Sequence, residues 1–222
     1  MSTRINKYLS NAGYCSRREG DRLIEEGKVM INGKSALIGQ IVNKGDVVTI
    51  RGRQINKKEN YTYIIFNKPK GVVTTSKKDV ENNIINQIGF NEHIFYIGRL
   101  DKHSQGLVLL SNDGSIVNKI LKSKNNHEKE YIVEVDKDIT PTFIKEMSKG
   151  VEILDTVSKP CKIIKIDSRK FKIILTQGLN RQIRRMCGFF DYKVISLKRI
   201  RIMNIKLDIE EGKYRHLSNE EL

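Results

Sequence analysis

Between Ile50 and Asn60 the chain runs IRGRQINKKEN, too polar and too irregular to continue a buried helix or strand. This break constrains the fold more than any other feature. Whatever precedes it must close a core of its own, and the longer remainder must build a second one. The expected organisation is a small unit over residues 1–52, a linker over 53–60 and a larger unit over 61–222.

The small unit has enough pattern to do this. Ile5, Tyr8, Leu9 and Ala12 fall at i, i+3, i+4, i+7, which predicts a short helix ended by Gly13. Ser16 and Glu19 have capping-box spacing, so a second helix starts there. It presents Arg18 and Arg22 one turn apart, with Arg17 beside them. Val29-Met30-Ile31 runs into Asn32-Gly33 and Lys34, a strong hairpin signal, and Asp46–Ile50 reads as a closing strand.

Charge bears on partners, not on fold. Lys and Arg number 41 against 26 Asp and Glu, a net +15, and residues 1–58 alone hold +7 of it. A polyanion such as a nucleic acid is the partner this favours, because phosphates release counterions to Lys and Arg. The plain alternative is a solvated basic surface. A membrane surface fits less well, because no basic amphipathic helix with bulky apolar residues stands out. No run approaches the roughly 20 apolar residues of a spanning helix, and MSTRINKYLSNAG lacks a signal-type apolar core, so a cytoplasmic protein is expected. Cys15, Cys161 and Cys187 are dispersed, as are His93, His103, His127 and His216; neither a disulfide framework nor a metal site is expected.

The larger unit alternates strand and helix patterns. YTYIIF (61–66), VVTT (72–75), IFYIG (94–98), GLVLL (106–110), 131–135 and the period-two run 171–176 read as strands. Lys193–Leu207 reads as a long basic strand or hairpin. Asp113 and Ser115 can cap a helix that turns Ile116, Val117, Ile120 and Leu121 inward. The expected class is α+β: a mixed, mostly antiparallel sheet with flanking helices.

Two segments carry candidate chemistry. In QGLNRQIRRMCGFF (177–190), Asn180 is a good N-cap. Ile183, Met186, Cys187 and Phe190 share one helical face, and Arg181, Arg184 and Arg185 share the opposite one. No carboxylate lies in that window, so the arginines face solvent, RNA phosphate or an acid from elsewhere in the fold. Asp101, in GRLDKHSQGLVLLSNDG (98–114), is such an acid, placed after an apolar strand; Asp113 and Asp136 are its rivals by position.

SRREGDRLIEEGKVMINGK resembles the small "S-four" RNA-binding domain over about residues 2–50. GRLDKHSQGLVLLSNDG, EKEYIVEV (128–135) and QGLNRQIRRM (177–186), with NKPKG (67–71) ahead of them, resemble the ordered motifs of the Rsu/Rlu-type pseudouridine synthases. Ser104 and Ser111 stand where many members have Thr, and Gln177 and Leu179 where many have Glu and a basic residue. The third motif resembles the branch acting on a large-subunit rRNA uridine near the peptidyl-transferase centre.

The resemblance implies isomerisation of uridine to pseudouridine without metal or cofactor. It implies Asp101 as the catalytic carboxylate, either attacking the anomeric carbon or removing the neighbouring ribose proton. Arg184 would be its ion-pair partner, and Tyr131 the ring against the flipped base or an acid–base on it. Arg17, Arg18, Arg22, Lys34, Lys68, Lys70, Arg99, Arg181 and Arg185 are the expected RNA contacts. Ribosomal RNA, free or in an assembling subunit, is the expected partner, tRNA a second candidate, and a monomer the expected state. The competing reading is a non-catalytic RNA-binding assembly factor. A DNA-binding protein lacks its helix-turn-helix or zinc pattern.

Overall fold

The computed structural model describes residues 2–56, 61–77, 79–90, 93–121 and 126–221. The first unit runs β1 (Thr3–Arg4), α1 (Ile5–Asn11), α2 (Arg17–Glu25), β2 (Val29–Ile31), β3 (Lys34–Ser35), β4 (Ile41–Val42), β5 (Val48–Ile50) and β6 (Arg53–Gln54). Ser16 caps α2, its hydroxyl accepting from the Glu19 N–H at 3.2 Å. Asn32 and Gly33 both take positive φ (51° and 76°), the geometry a two-residue hairpin requires between β2 and β3. Ile5, Leu9, Leu23, Ile24, Val29, Ile31, Val42, Val48 and Ile50 form one closed core, each such side chain contributing roughly 1.5–3 kcal/mol on burial. Strand β6 pairs with β5, so ordered ribbon continues into the stretch expected to be linker. Residues 57–60 of that linker lie outside the described residues.

The second unit runs β7 (Tyr63–Lys68), α3 (Ile84–Ile88), β8 (Phe95–Ile97), β9 (Gln105–Ser111), α4 (Val117–Leu121), β10 (Lys129–Val135), α5 (Pro141–Ser148), β11 (Glu152–Ile153), β12 (Thr156–Val157), β13 (Lys162–Asp167), β14 (Lys170–Leu175), α6 (Gln182–Phe189), β15 (Val194–Ile202), β16 (Ile205–Lys206) and β17 (Tyr214–His216). Among the described residues the main sheet has the order β13-β14-β10-β15-β9-β7-β17, with β16 added on β15 and β8 on β9. All neighbours are antiparallel except β15 and β9. The fold is therefore α+β with a mixed, mostly antiparallel sheet, as the strand and helix patterns imply.

Strand β9 is buried on both faces, and its unbroken Leu107–Leu110 run reflects that. Val108 and Leu110 join a core with Phe66, Tyr131, Val133 and Phe171, covered by residues of α3, α5 and α6. Leu107 and Leu109 join a second core with Ile65, Ile97 and Ile202, covered by Val117 and Ile120 of α4. The two units touch where the Tyr61 hydroxyl donates to the Asn11 carbonyl at 3.2 Å.

Two local expectations are corrected. VVTT is not a strand: it makes only an isolated bridge, Val73 to Asn83, and Thr74 turns its hydroxyl to the chain at Leu100. Asn180 does not cap α6: the N-cap is Arg181, at φ 51°, and Asn180 instead accepts two bonds from the Arg185 guanidinium.

Candidate active site

One row of residues crosses the middle of the sheet in register. Lys68 of β7 pairs with Gly106 of β9, Gly106 with Arg199 of β15, Arg199 with Tyr131 of β10, and Tyr131 with Ile173 of β14. In-register neighbours share a face, and Tyr131 places this row on the face of the first core. Gly106 cannot be replaced: at φ 104°, an added Cβ would lie 2.3 Å from the Arg199 carbonyl oxygen. The row thus has cationic side chains on either side of a position without one, and an aromatic ring beyond.

Lys68 is fully buried. Its Nζ donates to the carbonyls of Pro69 and Val72, both at 2.8 Å. Burial pushes its pKa down to about 8, opposed by the negative charges of Asp101 and Glu211 and reinforced by Arg199. This corrects its expected role: a side chain with no exposed surface and two backbone acceptors is not a surface phosphate contact. Arg199, only 4% exposed, donates from Nε to the Leu107 carbonyl at 2.7 Å, while its Nη2 is buried with no partner among the described residues.

Asp101 is half-buried in the loop between β8 and β9. The chain on either side of it is pinned. The Thr74 hydroxyl donates to the Leu100 carbonyl at 2.7 Å and accepts from the Leu100 N–H at 3.3 Å. Gly71 N–H donates to the Lys102 carbonyl at 2.7 Å, and Ser104 N–H to that of Asp101 at 3.0 Å. The Asp101 carboxylate itself has no hydrogen bond and no ion pair within 4.0 Å among the described residues.

Arg184 is held at the same loop, but not as expected. Its Nη2 donates to the His103 carbonyl at 2.9 Å and its Nη1 to the Val194 carbonyl at 3.1 Å. The direct ion pair with Asp101 is absent. The guanidinium is already committed to two carbonyls, and Asp101 reaches it as a Coulombic neighbour. Burial lowers the Arg184 pKa most, Arg181 lowers it further, and Asp101 raises it.

Of the remaining expected residues one is buried and the rest lie on the surface. Tyr131 is 8% exposed, within the first core and beside Arg199, and its hydroxyl bonds no other described residue. Lys70, Arg99, Arg181 and Arg185 are exposed, as are Arg17, Arg18, Arg22 and Lys34 of the first unit. Of these, Arg22 is ion-paired with Glu19 one turn away, and Arg17 leans on Asn6 at 3.4 Å. Arg181, Arg184 and Lys193 border a cavity of about 370 Å³, together with Asp191, Tyr192 and Val194. Sequence inspection missed Thr74, which looks like one more strand residue. It also merged Arg199 into the basic run KRIRIMNIK, where the signal available was a charge beside apolar positions of a long strand.

Comparison with known proteins defines the class. Residues 62–188 match the model of the RNA pseudouridylate synthase family, and residues 3–48 that of the S4 domain. The chain belongs to the RNA pseudouridine synthase family: it is an isomerase acting on uridine in RNA. Among its relatives is the "Dual-specificity RNA pseudouridine synthase RluF" of Salmonella typhi, 53% identical over all of this chain and 78% of the relative. Its counterpart in Escherichia coli K12 is 52% identical, again over the whole chain and 77% of the relative. The "Ribosomal large subunit pseudouridine synthase B" of Bacillus subtilis is 31% identical over 99% of this chain and 93% of its own. A crystal structure of a pseudouridylate synthase superposes with a TM-score of 0.73 at 26% identity, covering 98% of this chain and 97% of that one.

Proposed function

We propose that the protein isomerises a uridine of ribosomal RNA, most favourably of the large subunit, with Asp101 as the catalytic carboxylate. The observation that carries this is the contrast at Asp101: a backbone fixed on both sides and a carboxylate left free, near the charges of buried Lys68 and half-buried Arg184. A carboxylate committed to structure would be consumed by caps or ion pairs. This one is held and kept available.

The reaction breaks the bond from the ribose C1′ to uracil N1 and joins C1′ to C5 of the same base. The C5 proton leaves and N1 gains one, so the formula is unchanged. The Asp101 carboxylate serves either route: attack at C1′ as nucleophile, or removal of the 2′ proton as base. Tyr131 lies on the same sheet face as the row of buried cations; its ring supports the detached base, and its free hydroxyl is suited to the proton at C5. Extruding the target nucleotide costs a few kcal/mol. The exposed cations of the first unit, Arg17, Arg18 and Lys34, with Lys70, Arg99, Arg181 and Arg185 of the second, hold phosphates and offset that cost.

The names of the relatives support these choices: one carries "ribosomal large subunit" and others "dual-specificity". The test is chemical mapping of pseudouridine over rRNA and tRNA from cells with and without the protein. One rRNA uridine should lose its modification when the protein is removed, and a tRNA site should follow if specificity is dual. Unchanged rRNA maps would refute the proposal.

A further inference from the structure

We propose that Thr74 is a positioning residue for Asp101, and that the turn over residues 68–74 is the clamp that sets the catalytic loop. This rests on the assignment of Asp101 proposed above.

A single hydroxyl satisfies both backbone groups of Leu100, donating to its carbonyl at 2.7 Å and accepting from its N–H at 3.3 Å. Two residues further on, Gly71 N–H fixes the Lys102 carbonyl at 2.7 Å. Asp101 is bracketed between those contacts, both made by one turn. The turn is rigid in its own right. Lys68 Nζ ties Pro69 to Val72 from inside, and Asn82 Nδ2 donates to the Gly71 carbonyl at 3.2 Å. Val73 N–H bonds the Asn82 carbonyl and the Val73 carbonyl accepts from Ile84 N–H, which seats the turn on the start of α3. Thr74 is itself 7% exposed, so its hydroxyl has no role at the protein surface. The Leu100 side chain is anchored in the core. What Thr74 adds is the direction in which the chain leaves Leu100, and with it the placement of the next residue's carboxylate. Displacing a reacting group by about 1 Å can cost on the order of 100-fold in rate.

The experiment compares Thr74→Val, which keeps the shape and removes the hydroxyl, with Thr74→Ser, which restores it, in the full-length protein. The buried variant Ile139→Val serves as a stability control. Single-turnover pseudouridine formation, RNA affinity and Tm are measured for each. Thr74→Val is expected to lower the single-turnover rate about 10- to 100-fold with RNA Kd unchanged, and Thr74→Ser to recover most of it. A Thr74→Val rate equal to wild type overturns the proposal. So does a fall no greater than that of an Ile139→Val protein with the same loss of Tm, or a fall that Thr74→Ser does not reverse. Failure of the underlying assignment looks different: Asp101→Asn would then isomerise uridine at the wild-type rate, whatever Thr74 does.

Discussion

The two units use the same residue types in opposite ways. In the first, Arg17, Arg18 and Lys34 stand exposed. In the second, Lys68 and Arg199 are buried and Arg184 partly so, and each donates to backbone carbonyls, of Pro69 and Val72, of Leu107, and of His103 and Val194 respectively, while Arg199 Nη2 and Arg184 Nε have no partner among the described residues. Exposed cations are cheap to hold and free to meet phosphate. Buried ones are expensive, and they are retained where their hydrogen bonds and charge shape a site. Net positive charge in this protein therefore divides between affinity and architecture, and only position in the fold separates the two.

Removing charge from each region tests that division. Among the cations the largest effect is expected at Arg184. Arg184→Ala leaves two carbonyls without a donor, costing about 1–3 kcal/mol of stability, and loosens the Asp101 loop, so single-turnover rate should fall at least about tenfold with RNA affinity nearly intact. A drop in affinity with normal turnover would move Arg184 into the RNA-binding set.

A pH profile addresses Lys68. Its folded pKa of about 8 lies below its ordinary value of 10.5. Above pH 8 the folded protein releases this proton while the unfolded chain still holds it, so Lys68 adds stability as pH rises from about 8 to 10.5. Activity should move the other way, falling through pH 8 as Asp101 loses a neighbouring positive charge. Rates of wild type and Lys68→Met across pH 6–10, with thermal unfolding alongside, check both signs; an alkaline limb surviving in Lys68→Met would assign it to another group.

The smaller effect belongs to the first unit. Arg17→Ala with Arg18→Ala should weaken RNA binding about tenfold and reduce the slope of log K against log salt by up to about 2, with single-turnover rate at saturating RNA unchanged. An unchanged slope would remove these arginines from the interface.

Much of this was legible in the sequence. The capping box at Ser16 and the Asn32-Gly33 turn rest on local chemistry, and both formed. Period-two alternation from Phe171 to Leu175 correctly gave β14, and the apolar run from Leu107 gave β9. What failed depended on tertiary partners. VVTT has strand composition, but Thr74 bonds a loop 26 residues away in sequence. Asn180 has cap chemistry, but Arg185 takes both of its oxygens. Lys68 sits in a turn-like NKPKG run, yet the sheet row at Gly106 draws it inside. Asp101 and Arg184 were both seen from sequence. Their coupling through a shared loop, with His103 as the point of contact, needed the fold.

In the proposed reaction the Asp101 carboxylate performs the chemistry while the surface cations supply the binding. Single-turnover release of tritium from RNA labelled at uridine C5, measured beside RNA affinity for Asp101→Asn, tests it most directly. Unchanged affinity and a loss of release of at least about 1000-fold are expected. Release at the wild-type rate would contradict it.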